Sequence, residues 1–116
     1  FNPSVSGPIA FFETFLGIFL TIALPEELLF RGLFQNLLGG FIKRRWHVIA
    51  IAAIVFGAAH LNNGPPLPNY SFFLLATIAG VFYGRAFVRT KGLLAPSLIH
   101  ALVDALWVSF FAISAS

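Results

Sequence analysis

Apolar residues fall along this chain in four blocks, separated by short breaks rich in glycine, proline or basic residues. The blocks cover about Pro8 to Phe41, Trp46 to Leu61, Tyr70 to Val88 and Leu94 to Ile113. The first is too long for one ordinary membrane span of roughly 20 residues. Pro25 sits near its middle, where a proline removes a backbone donor and kinks a helix. The block is thus expected to be one tilted, kinked helix or two pieces meeting near Pro25, closed by Gly39-Gly40. "NNGPPLPN", residues 62 to 69, is a loop, and "RTKG", residues 89 to 92, a tight basic turn. Gly80 and Gly84, four apart, suit close helix packing. The pattern predicts an all-α, polytopic transmembrane bundle of about four spans in a single domain, 1–116.

Composition turns that pattern into a membrane assignment. The 116 residues are 59% hydrophobic and 9% charged, with a mean hydropathy of +0.91. Soluble domains carry about a quarter charged residues, and a soluble chain this short has nowhere to hide so much apolar surface. The net charge of +3 comes from two clusters, Lys43-Arg44-Arg45 and Arg85, Arg89 and Lys91. Both are short and flanked by apolar runs, unlike a nucleic-acid-binding face. They mark the connections at 43–45 and 89–91 as cytoplasmic, in an integral membrane protein. Absence of cysteine excludes disulfides and thiol catalysis. The opening "FNPSVSG" has no initiator Met and no charged leader, which reads as the core of a longer membrane protein.

Against this background the buried ionisable residues stand out, since each costs roughly 2.5–3.5 kcal/mol to insert. "PEELLFRGLF", residues 25 to 34, holds two of the four acidic residues. Glu27 and Arg31, at i and i+4, can neutralise one another as a structural pair. Glu26, about 100° away on the helix, is the surplus carboxylate and a candidate general base. His100 and Asp104 form a second i, i+4 pair, and His60 closes "FGAAH". A glutamate and a histidine can hold and deprotonate a water, while a second histidine stabilises an oxyanion. Serine chemistry is poorly supported, because Ser97 lies in no Gly-x-Ser-x-Gly elbow. H-E-x-x-H is absent, although Glu26, His60 and His100 are possible ligands of a divalent metal such as zinc.

At about 1.5 Å rise per residue, Glu26 and Asp104 fall near mid-membrane, with His60 roughly 10 Å to one side and His100 roughly 6 Å to the other. Bringing them together requires strong tilts or an early end to the second helix in a polar cavity. The "NNGPP" loop is expected to line that cavity.

In order along the chain, "EELLFR", "FGAAH" (Phe56 to His60) and "HALVD" (His100 to Asp104) resemble the motifs of the type II CAAX prenyl endopeptidases and their bacterial relatives, the CAAX protease and bacteriocin-processing family. The resemblance spans about residues 20 to 110. It implies an intramembrane endopeptidase acting on a lipidated CAAX-type protein or a small hydrophobic, bacteriocin-like peptide, with the bilayer as its medium and no cofactor. It also implies that Glu26 and His60 activate water, that His100 and Asp104 form the oxyanion side, and that Glu27 and Arg31 support the site. Asp104 stands where the prenyl-protein-processing branch has asparagine. An ionised Asp cannot donate to an oxyanion, so it is either protonated or orients His100. The family also includes bacteriocin self-immunity and scaffolding proteins, the alternative reading here. A proton-coupled transporter is disfavoured by the few spans and the lack of an internal repeat.

Overall fold

The computed structural model describes residues 3–62, 64–65 and 67–110, among which there are helices and turns and no strand. Four helices carry the fold: α1, Gly7–Leu38; α2, Arg45–Ala58; α3, Tyr70–Thr90; α4, Leu94–Phe110. Gly7, the first residue of α1, turns the chain at φ 51° in a conformation open to glycine. The α1 and α3 helices are long and apolar enough to cross a membrane, while α2 and α4 are shorter apolar helices.

Of the two forms expected for the first block, the protein adopts one continuous helix. Pro25 does not divide it, because the helix widens instead. The Leu24 N–H bonds the Phe19 carbonyl, five residues back, and Phe19–Ala23 forms a π-helical turn immediately before the proline. Proline lacks a donor and its ring crowds the carbonyl four residues earlier; a wider turn relieves both. A second π-helical stretch, Leu28–Gln35, follows the two glutamates. In an α-helix, residues four apart overshoot one another by about 40°. Wider turns rotate less per residue, so Glu27, Arg31 and Gln35 stay on one line, and all three are buried.

The α2 and α3 helices pack most closely, through small residues. Ala52 and Ala53 are fully buried, and a Cβ on Gly57 would lie 1.9 Å from Thr77 Oγ1 and 2.8 Å from the Phe73 carbonyl oxygen. The N-terminal part of α1 lies on α4, and its C-terminal part on α2 and α3. Outer faces expose large apolar side chains such as Phe12, Leu29, Leu74 and Leu106, as hydrocarbon surroundings permit.

Boundaries differ from the sequence blocks in instructive ways. The α2 helix ends at Ala58, before His60. Arg89 and Thr90 still belong to α3, and the turn comes at Lys91, in the left-handed region at φ 56°. Asn69 caps α3 by accepting the Phe72 N–H at 3.0 Å. Ile113, the expected end of the fourth block, lies outside the described residues. Both basic connections emerge at one end of the bundle, where Arg45 shares a cleft with Arg85 and Arg89.

Candidate active site

The middle of α1 delivers Glu26 and Glu27 to the face of α4 that carries His100 and Asp104. The spacing argument for Glu27 and Arg31 holds: Arg31 Nε lies 3.4 Å from Glu27 Oε1, with both side chains fully buried. Arg31 is held from three further directions. Its Nη2 donates to the Gly80 carbonyl at 2.6 Å, and its guanidinium packs on the rings of Phe56 and Tyr83, at 4.7 and 5.6 Å. One helical turn on, Gln35 Nε2 donates to the Gly84 carbonyl at 3.2 Å. Gly80 and Gly84 therefore do more than let helices touch. A Cβ on Gly80 would stand 3.2 Å from Arg31 Nη2, and one on Gly84 2.8 Å from Gln35 Oε1. Glycine at both positions lets the side chains of α1 reach backbone carbonyls of α3.

Glu27 has a second role that its spacing could not reveal. Its Oε2 accepts a hydrogen bond from His100 Nδ1 at 2.7 Å, across 73 residues of sequence. One carboxylate thus joins Arg31 to His100 and fixes the ring. Tyr83, 2% exposed, stacks on the same imidazole, with centroids 4.7 Å apart and planes within 7°. This leaves His100 Nε2 facing two carboxylates, Asp104 Oδ2 at 3.2 Å and Glu26 Oε1 at 3.6 Å. Asp104 contacts Nε2, while Glu27 holds Nδ1 and sets the orientation of the ring. The Glu26 and Asp104 side chains are about one-third exposed, while His100 and Glu27 are buried. Glu26 Oε1 is buried and makes no hydrogen bond to the protein.

His60 stands on the far side of Phe56. It follows α2 in a turn, and its Nδ1 lies 2.7 Å from the Phe56 carbonyl. A carbonyl only accepts, so Nδ1 carries the proton and Nε2 is the nitrogen turned to other partners. The ring is parallel to Phe72, at 5.8 Å and 3°, and tilted against Phe56 at 4.7 Å. Phe56, 2% exposed, also meets His100 edge-on at 5.6 Å. One aromatic ring therefore touches both imidazoles. The early end of α2, anticipated as one way to reconcile the helix depths, brings His60 to the edge of a cleft of about 190 Å³ shared with His100 and Asp104.

The walls of that cleft differ from the expectation. Among the described residues, none of 62–69 lines it; Phe72, Ala76 and Ala79 of α3 face Val103 and Trp107 of α4 across it. The loop instead caps α3 through Asn69, and most of the side chains lining the cleft are apolar. Ser97 is fully buried, and its Oγ hydrogen bonds no protein group, so no base is placed to activate it. Among the described residues, no three His, Asp or Glu side chains converge as metal ligands. Glu26, His60 and His100 do not form such a set.

Tyr83 and Gln35 escaped the sequence reading. Only their place opposite the Glu27-Arg31 line marks them, and that place depends on how α3 packs.

The Type II CAAX prenyl endopeptidase Rce1-like family matches residues 8–106. An uncharacterized 24.3 kDa protein of Escherichia coli is 34% identical over 98 residues, covering 84% of this chain and 43% of that protein. The uncharacterized protein YpbD of Bacillus subtilis is 30% identical over 92 residues, 78% of this chain and 42% of YpbD. The chain spans less than half the length of these relatives. No solved structure matches the chain.

Proposed function

The chain belongs to the Rce1-like type II CAAX prenyl endopeptidase family, a family of membrane proteases, and from that premise we propose that it hydrolyses a peptide bond within the membrane through a glutamate-activated water. The observation that carries the reading is Glu26. Its side chain, about one-third exposed, stands 3.6 Å from the His100 imidazole, which lines the apolar cleft and is already fixed through its other nitrogen.

The division of labour follows from hydrogen-bonding capacity. Glu26 accepts a proton from water, and the resulting hydroxide attacks the scissile carbonyl. His60, with Nδ1 committed to the Phe56 carbonyl, offers Nε2 as an acceptor that holds the water. His100 donates Nδ1–H to Glu27, so a donor toward the oxyanion requires a proton on Nε2 as well. The buried Glu27 carboxylate supports that second proton, and Arg31 holds Glu27 in place. Asp104 accepts from Nε2–H at rest. The proton on Glu26 then passes to the leaving amine.

Apolar walls built by Phe72, Val103 and Trp107 suit a lipidated CAAX-type protein or a small hydrophobic peptide. The basic end faces the cytoplasm of a bacterial plasma membrane, as cationic connections do. The test compares protein termini in membranes of cells carrying the full-length protein, wild type against Glu26→Gln and His60→Ala. New C-termini in wild type alone support hydrolysis. Identical termini in all three, with a retained cellular phenotype, favour the non-proteolytic alternative of self-immunity or scaffolding.

A further inference from the structure

Six of the seven Lys and Arg residues lie in the two basic clusters, at one end of the bundle. Arg31 is the exception. The chain has four carboxylates, and three of them, Glu26, Glu27 and Asp104, are gathered around His100. The fourth, Glu13, lies in the N-terminal half of α1. Among the described residues, no carboxylate pairs with a cation of either basic cluster.

Three of these cations converge. Arg45 at the start of α2 and Arg85 and Arg89 near the end of α3 line one cleft of about 260 Å³, together with Trp46, Ile49 and Val88. Arg85 and Arg89 are four apart and share a helix face. All three arginines are exposed. The Arg85 guanidinium lies 5.7 Å from the centre of the Trp46 ring, and Trp46 is 57% exposed. The cleft therefore has a cationic mouth, an interfacial aromatic beside it, and an apolar floor in Ile49 and Val88. Like charges held this close on two helices repel one another unless an anion lies between them.

We propose that this cleft binds the phosphate of an anionic phospholipid headgroup, with the acyl chains running down the outer face of α2 and α3. Guanidinium forks match phosphate oxygens in pairs, Trp46 sits at headgroup level, and the apolar floor accepts the glycerol end of the chains. A free phosphate satisfies the arginines alone. The lipid also uses Trp46, Ile49 and Val88. This binding is independent of peptide hydrolysis.

The test is native mass spectrometry of the purified full-length protein offered equal phosphatidylglycerol and phosphatidylcholine, with a parallel arm in millimolar inorganic phosphate. Wild type should retain phosphatidylglycerol in preference. Each arginine near an anionic surface contributes roughly a fivefold preference, so Arg85→Gln/Arg89→Gln should lower it about 25-fold, and Arg85→Lys/Arg89→Lys should keep much of it. Thermal melting checks that each variant is folded, and Arg89→Gln alone, at an exposed position, provides a milder second variant. Undiminished preference in the folded glutamine variants overturns the proposal. So does displacement of phosphatidylglycerol by inorganic phosphate, which assigns the cleft to a soluble anion.

Discussion

Replacing Arg31 with methionine keeps most of the side-chain volume and removes the charge on which the site is built. The change strips Glu27, fully buried, of its only guanidinium partner at 3.4 Å. It also removes the 2.6 Å bond to the Gly80 carbonyl and the contacts with Phe56 and Tyr83. Breaking one side of a buried pair costs about 3–5 kcal/mol, most of it from the charge left behind. Glu27→Gln alone should cost a comparable amount, because Arg31 is then the orphan. The double variant Glu27→Gln/Arg31→Met has no orphaned charge, and the glutamine oxygen still accepts from His100 Nδ1. Its cost should fall at least ~2 kcal/mol short of the sum of the singles. Reversible unfolding of the full-length protein in mixed micelles measures all three. Costs that add within about 0.5 kcal/mol would show that Glu27 and Arg31 do not act as a pair, and the support assigned to His100 would fall with them.

Other outcomes follow from the same contacts. Gly57→Ala should destabilise by about 1–3 kcal/mol in the same assay, since its Cβ would meet Thr77 Oγ1 and the Phe73 carbonyl; Gly17→Ala, with nothing within 4 Å, should be neutral or slightly stabilising. Asp104→Asn should keep turnover within about tenfold of wild type in a peptide-cleavage assay, because asparagine also hydrogen bonds His100 Nε2, whereas Asp104→Ala should lose about a hundredfold or more. Comparable rates for the two variants would remove Asp104 from the chemistry. Ser97→Ala should leave turnover unchanged, its Oγ being buried and without a hydrogen-bonded base; a large fall in rate would revive serine chemistry.

Which of these features could be read from the sequence depends on distance along the chain. Helix positions and the Glu27-Arg31 pair follow from local spacing, because residues four apart on a helix must be neighbours. The Glu27-His100 bond spans 73 residues, and no local rule reaches it. Gly80 and Gly84 were legible as places where backbones come close, but not as the carbonyls that Arg31 and Gln35 seek. Pro25 announced a disturbance. Whether the helix would break or widen depended on the packing of α1 against α4 on one side and α2 on the other. The depth offset of His60 follows from treating each helix as straight and upright. The α2 helix ends before His60, and the Phe56 ring contacts both His60 and His100. An irregular loop at membrane depth is expected to line a cavity, whereas among the described residues it is apolar side chains of α3 and α4 that wall the cleft.

The central claim is that Glu26 activates the attacking water, and its most direct test is single-turnover cleavage by full-length protein in liposomes made with ¹⁸O-labelled water. A pool of hydrophobic and prenylated peptides serves as substrate. Wild type should place ¹⁸O in the new C-terminal carboxylate. Glu26→Gln, with an unchanged melting temperature, should lose roughly 10²–10⁴-fold in rate. A folded Glu26→Gln protein that cleaves as fast as wild type would contradict the account.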